Sequence, residues 1–558
     1  MKKSLLLILI ILSIGFLTQN AMADVYAAQL KITNPDTSDF DGSFADGSGA
    51  LAWFFLNDTA STATIDILDA DNGSSVFTAT VMELSRGLHS VAWDGSGAEA
   101  MKRYVIQVFA EQPNASTTEW TLFYDSGDID IFTRGVATVT DQSDPNFGLT
   151  FTSNDGGPLG TGINIYNPDG SFHDPFLVAA DASSGGTVSY GTDAPLFAHL
   201  DYAGRLYVSN KDLGQIMRIN RDYSTQVIID GLTFPKGIYL EGEGEDLTLY
   251  VAADNQVLRA NIGTADTFDP ANMEVVAGFS EFLPHQVILD DDGAMYCTLR
   301  ADNALGSDGR GIRKYDISGA LPVTDNQALW FLGEDRTFIA NDLLLDSGAD
   351  PNTSTDDILY YCTRADGGFD QDGIWRVDDI NGFFPDTVRI MTEDTFYGSD
   401  ENVNARATLD FDAAGNIIFM ENSNEHVFFL SPPGEGATNS FTTTGADTFI
   451  VDEAIVGIET IGTAVPGEYR LEANYPNPFN PTTTIQYQLA KSGQTRLTIF
   501  NSLGEEVRTL VNDHQSAGTY SATWDGRNNN GQLAASGIYI YMLRSGDFTE
   551  SRRMAFLK

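Results

Sequence analysis

Between about Arg134 and Val465 the chain repeats one short pattern: an apolar strand ending in Asp, a turn carrying Gly, and a second strand carrying Tyr. Leu200-Asp201, Gly204 and Leu206-Tyr207-Val208 show it after Pro195. Pro235 leads into Gly237-Ile238-Tyr239-Leu240 and Leu249-Tyr250-Val251, and Pro284 into Val287-Ile288-Leu289-Asp290, Gly293 and Met295-Tyr296-Cys297. Weaker copies run from Ala340 through Asp346 to Tyr360, and from Arg406 through Asp412 and Gly415 to Phe419. A third strand often follows, as at Gln215–Ile219 and Gly373–Val377. Tyr207, Tyr250, Tyr296 and Tyr361 lie 43, 46 and 65 residues apart. Sheet repeats at such periods imply radial blades, because a lone four-stranded sheet cannot cover both of its faces. The segment accommodates six blades of roughly 55 residues. Five or seven blades, or a string of sandwiches, are the alternatives.

A second repeat flanks the first. Thr64-Ile65-Asp66-Ile67-Leu68 precedes Gly87–Gly95, which ends in Trp93-Asp94-Gly95, and then Tyr104–Val108. Far downstream, Leu497–Phe500 precedes Gly518–Gly526, ending in Trp524-Asp525-Gly526, and then Gly537–Tyr541. Each copy alternates with the period of two expected of a half-buried strand. The Trp supplies a large ring to bury, and Asp-Gly opens a turn. Both read as small β-sandwiches.

Lys2 and Lys3, the apolar run from Leu5 to Leu17 and Ala21-Met22-Ala23 form the three parts of a secretory leader over residues 1–23. A membrane anchor is the alternative, but the run is short of the ~20 residues a spanning helix needs, and no later segment is apolar enough to cross a membrane. Nine of the 31 basic and eight of the 78 acidic residues lie from Glu468 onward, and Lys2 and Lys3 lie in the leader. That leaves 20 basic against 70 acidic residues in 24–467. So acidic a body repels nucleic acid and anionic lipid, and suits cations or solubility in salt. Only Cys297 and Cys362 occur. Their contexts, Tyr-Cys-Thr with Arg-Ala-Asp following, suggest equivalent blade positions, too far apart for a disulfide and therefore two free buried thiols.

At the C-terminus the residues Asn474-Tyr475-Pro476-Asn477-Pro478-Phe479-Asn480-Pro481-Thr482, then Leu503-Gly504, Trp524-Asp525-Gly526, Ala535–Tyr539 and the basic-apolar Arg552–Lys558 resemble the type A C-terminal sorting domain of the type IX secretion system. The resemblance implies export across the outer membrane and surface attachment, with the secretion machinery as a partner. The same module is similar to the Ig-like domain of the flagellar hook-capping family, and residues 24–132 resemble that fold more loosely, without the Asn-Tyr-Pro-Asn-Pro segment. The middle resembles six-bladed NHL and gluconolactonase/regucalcin-like propellers through its Pro-x-Gly and Asp-x-x-Gly-x-Leu-Tyr patterns.

None of the six histidines lies in a His-Glu-x-x-His arrangement, and there is no Gly-x-Ser-x-Gly elbow or Gly-Lys-Ser/Thr loop. Matching the repeats sets Lys236, His285, Gln286, Asn341, Asp342 and Arg406 where inner strands begin, at the rim of a central channel. These are the candidate ligand-binding residues. An Asn-Asp pair facing a His suits a divalent ion that polarises a lactone, as the gluconolactonase resemblance implies. The Glu ligand that family carries early in its propeller has no clear counterpart. A polar funnel without chemistry is the alternative. Asp350, Asn352, Ser354 and Asp356 alternate in a loop, as calcium ligands can, although no bidentate Glu follows; a plain polar loop is the alternative. Calcium is the one cofactor considered. Phe369, Phe383, Phe384 and Tyr397 in Gly/Asp-rich loops suit a carbohydrate or protein rim, or packing between blades.

The sequence therefore predicts an all-β chain: leader 1–23, N-terminal Ig-like β-sandwich 24–132, six-bladed β-propeller 134–465, Pro/Asn-rich linker 466–481 and C-terminal sorting β-sandwich 482–558. The expected function is surface or secreted binding of a glycan or protein ligand. A metal-dependent lactonase and a structural adhesion component are the alternatives.

Overall fold

A computed structural model describes residues 25–557 except 45–48, 113–119, 127–132, 157–159, 192–193, 281, 302–310, 333–338, 348–352, 365–372, 378–379, 383–386, 392–407, 422–425, 434–439, 452–458, 463–468, 475–476, 480–481, 502–503, 516, 530–532 and 547. The architecture is all-β: six blades, five of four strands and the third of five, together with two β-sandwiches. The innermost strands of blades one to six are Thr133–Thr138, Ala198–Leu200, Pro235–Glu241, Phe282–Leu289, Ile339–Asp346 and Thr408–Phe411. Each touches the next, and the sixth touches the first, so the ring is closed.

Closure is made by a strand from before blade one. Thr121–Asp125 pairs antiparallel with His426–Ser431 and supplies the outermost strand of blade six. The chain's two ends of the propeller are thereby held in one sheet. Middle strands such as Leu206–Asn210 are buried along their whole length, because neighbouring blades cover both faces.

The Asp-x-x-Gly pattern proves to be the hairpin between first and second strands. In blades two, four and six the Gly N–H donates back to the Asp carbonyl, Gly204 to Asp201 at 2.9 Å, Gly293 to Asp290 at 2.8 Å and Gly415 to Asp412 at 3.0 Å. These glycines have φ of 67°, 78° and 80°, a region that costs a β-carbon-bearing residue free energy. The Asp carboxylate caps the same turn, accepting Ala203 N–H and Arg205 N–H on Asp201 and Ala414 N–H and Asn416 N–H on Asp412.

Sheet membership departs from the linear division at 132/134 and 465. The N-terminal sandwich has one sheet of Ala27–Thr33, Ala50–Leu56 and Gly87–Trp93. Its other sheet contains Ala60–Asp69, Ser75–Leu84 and Lys102–Glu111, joined by Ser440–Thr444 and Phe449–Val451 from beyond blade six. The propeller is thus inserted into the sandwich. The cause is non-local: Phe449 packs beside Trp93 and Tyr104, with ring centroids 6.2 and 6.0 Å away, and so completes a core that the first 132 residues leave open.

The C-terminal sandwich has two four-stranded sheets. Both sandwiches use Trp-Asp-Gly identically. Trp93 Nε1 donates to Ser96 O at 3.1 Å and Trp524 Nε1 to Arg527 O at 2.8 Å, while Asp94 and Asp525 accept the N–H two residues on. A β-carbon at Gly95 would fall 2.4 Å from the Phe44 ring, so this position excludes any side chain.

Candidate functional site

The inner strands carry a repeated irregularity where they begin. In blades one, four and five the ladder to the second strand skips one residue, Arg134, His285 and Asn341 respectively; in blade three the skip covers Lys236 and Gly237. Each is a β-bulge, which leaves a residue outside the ladder and re-aims its side chain. Matched blade by blade, the bulge sets Arg134, Lys236, His285 and Asn341 at equivalent positions where the inner strands begin.

The residue after each bulged one faces the adjacent blade. At Gly135 a β-carbon would meet the backbone of Leu196–Ala198 at 2.7–2.8 Å, and at Gly237 it would meet Gln286 and His285 at 2.2–2.5 Å. In blades four and five the same position holds Gln286 and Asp342, which bond to each other at 2.8 Å.

Asp342 differs from the expected metal ligand. Its carboxylate accepts Gln286 Nε2 at 2.8 Å, Leu343 N–H at 2.9 Å, Thr408 Oγ1–H at 2.6 Å and Leu409 N–H at 3.1 Å. Both oxygens are occupied by donors from three blades, and burial holds its pKa above the usual carboxylate value against the pull of those donors. A carboxylate so enclosed joins blades; it does not present an open ligand. Gln286 is likewise committed, accepting Val287 N–H on Oε1 and donating its own N–H to Thr298 Oγ1.

His285, Asn341 and Arg300 meet across blades four and five. His285 Nδ1 lies 3.2 Å from Asn341 O, and its ring stands edge-on to Phe197 of the blade-two approach with centroids 5.0 Å apart. Arg300, from the second strand of blade four, donates to Asn341 Oδ1. Arg134 ion-pairs with Asp155 at 2.6 Å. Lys236 is half-buried on blade three and precedes Gly237, which packs against His285 and Gln286. Arg406 lies outside the described residues, as do Phe369, Phe383, Phe384 and Tyr397. Arg134 and Arg300 were not among the sequence candidates. The Arg-Ala-Asp that follows Tyr-Cys-Thr was the available signal for Arg300; Arg134 offered none, since a bulge has no side-chain signature.

At the other end of the inner strands, the hairpin Asp290–Gly293 of blade four meets the longer connection of blade five. Asp350 and Asn352 of that connection lie outside the described residues. Ser354 is buried and committed, its hydroxyl and N–H both donating to Asp292 Oδ2 at 2.6 and 3.2 Å. Asp356 is half-buried. Asp290 pairs with the buried Lys314 at 2.9 Å and accepts the Tyr296 hydroxyl at 2.9 Å. Asp357 is 1% exposed, and burial together with Asp291, Asp290 and Asp356 pushes it up to about 7. Among the described residues, no three His, Cys, Asp or Glu side chains gather as a ready metal cage.

Cys297 and Cys362 are both free and buried. They are not equivalent. Cys297 pairs with Val287 and Cys362 with Asp342, one ladder step apart when the bulges are aligned. One step turns a side chain to the opposite face. Cys297 accordingly packs with blade-three residues such as Val257, and Cys362 with blade-six residues such as Phe419.

Residues 479–545 match the model of the FlgD Ig-like domain family. The chain matches no curated protein. Among solved structures it is similar to PorZ, described as an essential bacterial surface component of the type-IX secretion system of Porphyromonas gingivalis, with 12% identity over 91% of this chain and 69% of that one and a TM-score of 0.32. Virginiamycin B lyase from Staphylococcus aureus is 15% identical over 56% of this chain and 99% of its own, with a TM-score of 0.34. A gluconolactonase from Xanthomonas campestris is 12% identical over 55% of this chain and 88% of its own, with a TM-score of 0.36. No helix among the described residues is long and apolar enough to cross a membrane.

Proposed function

We propose that the propeller is an extracellular binding module whose channel rim takes an anionic ligand, an acidic glycan being the chemistry that fits best. The observation that supports this reading is the repeated bulge, at which Lys236, His285 and, ion-paired to Asp155, Arg134 hold equivalent positions, with Arg300 bonded to Asn341 beside His285. A chain with 31 basic and 78 acidic residues has few cations to place, and grouping several at one mouth opposes the repulsion that the rest of its surface exerts on an anion. Polar and charged groups held on rigid strand starts give orientation, and half-burial strengthens each charge-assisted bond. The lactonase reading has weaker support, because the Asp342 carboxylate it relies on is already saturated by four donors.

The test is a glycan array probed with the mature chain, followed by titration of the best acidic and neutral glycans at low and high salt. Uronate- or sulfate-bearing glycans should bind, weaken as salt rises, and lose at least tenfold affinity in Lys236→Ala and Arg300→Ala. Preference for neutral glycans, or binding unchanged in both variants, would overturn the rim assignment.

The C-terminal sandwich serves export through the type IX system in this proposal, on the strength of the motif resemblance. Its two motif-bearing ends are tied together physically: Asn477 Oδ1 accepts Ala555 N–H at 2.9 Å, and Phe479 stacks on Phe556 with centroids 5.0 Å apart. Deleting 468–558 should strand the protein in the periplasm; surface display of the truncated form would refute the export role.

A further inference from the structure

The contact between blades four and five contains more carboxylate than its donors satisfy. Asp291 N–H donates to Asp357 Oδ2 at 3.3 Å, which brings the adjacent pairs Asp290-Asp291 of blade four and Asp356-Asp357 of blade five together. The ammonium available, Lys314, is already engaged by Asp290 at 2.9 Å, Asn381 Oδ1 at 2.9 Å and Ile380 O at 3.2 Å. Asp357 is 1% exposed, and its Oδ1 has no hydrogen-bond partner; Asp291 Oδ2 is likewise buried without one. Their other oxygens are held, Asp357 Oδ2 by Asp291 N–H at 3.3 Å and Asp291 Oδ1 by the Ser347 hydroxyl at 2.9 Å. Buried acceptors without donors are costly and rare in folded proteins. Facing carboxylates resolve the conflict either by sharing a proton or by sharing a cation.

We propose that Asp291 and Asp357 bind a calcium ion that clasps the blade-four hairpin to the blade-five connection, on the face of the propeller opposite the cationic rim. The two carboxylates come from different blades, so the ion acts as a cross-link between them. Calcium accepts six to eight oxygen ligands in irregular geometry, and two carboxylates completed by hydroxyl, main-chain and water oxygens suit it better than magnesium, which demands a near-ideal octahedron. Two carboxylates place the affinity in the range of extracellular calcium modules, a dissociation constant of about 0.1–1 mM. The ligands differ from the alternating set expected from sequence: Ser354 is spent on Asp292, and the carboxylates that carry the site are its neighbours across the blade boundary.

The experiment is calorimetric titration of calcium chloride into the chelator-treated mature chain at pH 8, with thermal melting in parallel and magnesium chloride as comparison. The wild type should bind calcium with a millimolar or sub-millimolar constant and melt several degrees higher when saturated, with little response to magnesium. Asp357→Asn and Asp291→Asn should each weaken binding at least tenfold and abolish the melting shift. No heat and no shift in the wild type would overturn the proposal in favour of a shared proton. Calcium binding undiminished in both variants would overturn it in favour of an ion elsewhere. Should Asp357→Asn fail to fold, the wild-type titration and Asp291→Asn decide.

Discussion

Asp342, on the inner strand of blade five, accepts the hydroxyl of Thr408, on the inner strand of blade six, at 2.6 Å. The same carboxylate takes Gln286 of blade four, so one buried side chain joins three consecutive blades. Thr408→Val removes one donor and leaves a buried carboxylate oxygen with only Leu409 N–H, which should cost about 1–3 kcal/mol. Asp342→Ala strands both Gln286 and Thr408 and should cost more. Denaturant unfolding of the two variants checks the order, and equal stability of both with the wild type would refute the staple.

Stability should fall as pH rises from about 4 to about 7. Burial raises Asp410 and Asp412 to about 7 from an ordinary 3.8. Across that window the folded chain retains protons that the unfolded chain has released, so raising the pH favours unfolding. Above the folded value the loss is complete. The chain's formal charge of −47 adds repulsion of the same sign, so a variant is needed to separate the two. Asp412→Asn cannot ionise, and its melting temperature should change less between pH 5 and pH 8 than that of the wild type. An unchanged slope would assign the effect to overall charge.

What the sequence disclosed was local. Asp201-x-x-Gly204 and Trp93-Asp94-Gly95 are each completed within a few residues, so pattern alone identified their turns, and the blade repeat followed from them. Lys236, His285 and Asn341 share one offset in the repeat, and each falls at the ladder skip of its inner strand. What pattern could not supply was register across distance. Tyr361 was aligned with Tyr296, whereas the ladder pairs Tyr296 with Ile288, two residues before Asp290, and Tyr360 with Leu344, two before Asp346. That single step misassigned Cys362 and hid the saturation of Asp342. The pairing of Ser440–Thr444 with Lys102–Glu111 spans more than 300 residues and has no motif, so the inserted propeller was invisible.

Both thiols should be inert in the native chain. Cys297 and Cys362 are 0% exposed, and burial raises the pKa of each, which disfavours the reactive thiolate. A disulfide-exchange reagent should titrate neither thiol in buffer and both in denaturant. Reaction of Cys362 alone in buffer would show that the contact between blades five and six opens.

Insertion of the propeller into the sandwich predicts how the chain fails when shortened. Ending it at residue 467 removes the C-terminal sandwich apart from its strand Glu459–Gly462, whereas ending it at 433 also removes Ser440–Thr444 and Phe449–Val451. The shorter chain keeps every strand of all six blades, including Thr121–Asp125 and His426–Ser431. It loses Phe449 from beside Trp93 and Tyr104, and it exposes the edge of Lys102–Glu111 that those strands cover. Burying a Phe side chain is worth roughly 1.5–3 kcal/mol, and the lost strand pairing adds to it. The 433 truncation should therefore show a separate, early loss of the sandwich, with Trp93 emission shifting to the red below the temperature at which the propeller melts. The 467 truncation should retain a single coupled transition for sandwich and propeller. If both truncations melt alike, the two C-terminal strands contribute nothing to the sandwich, and the domain folds from its first segment alone.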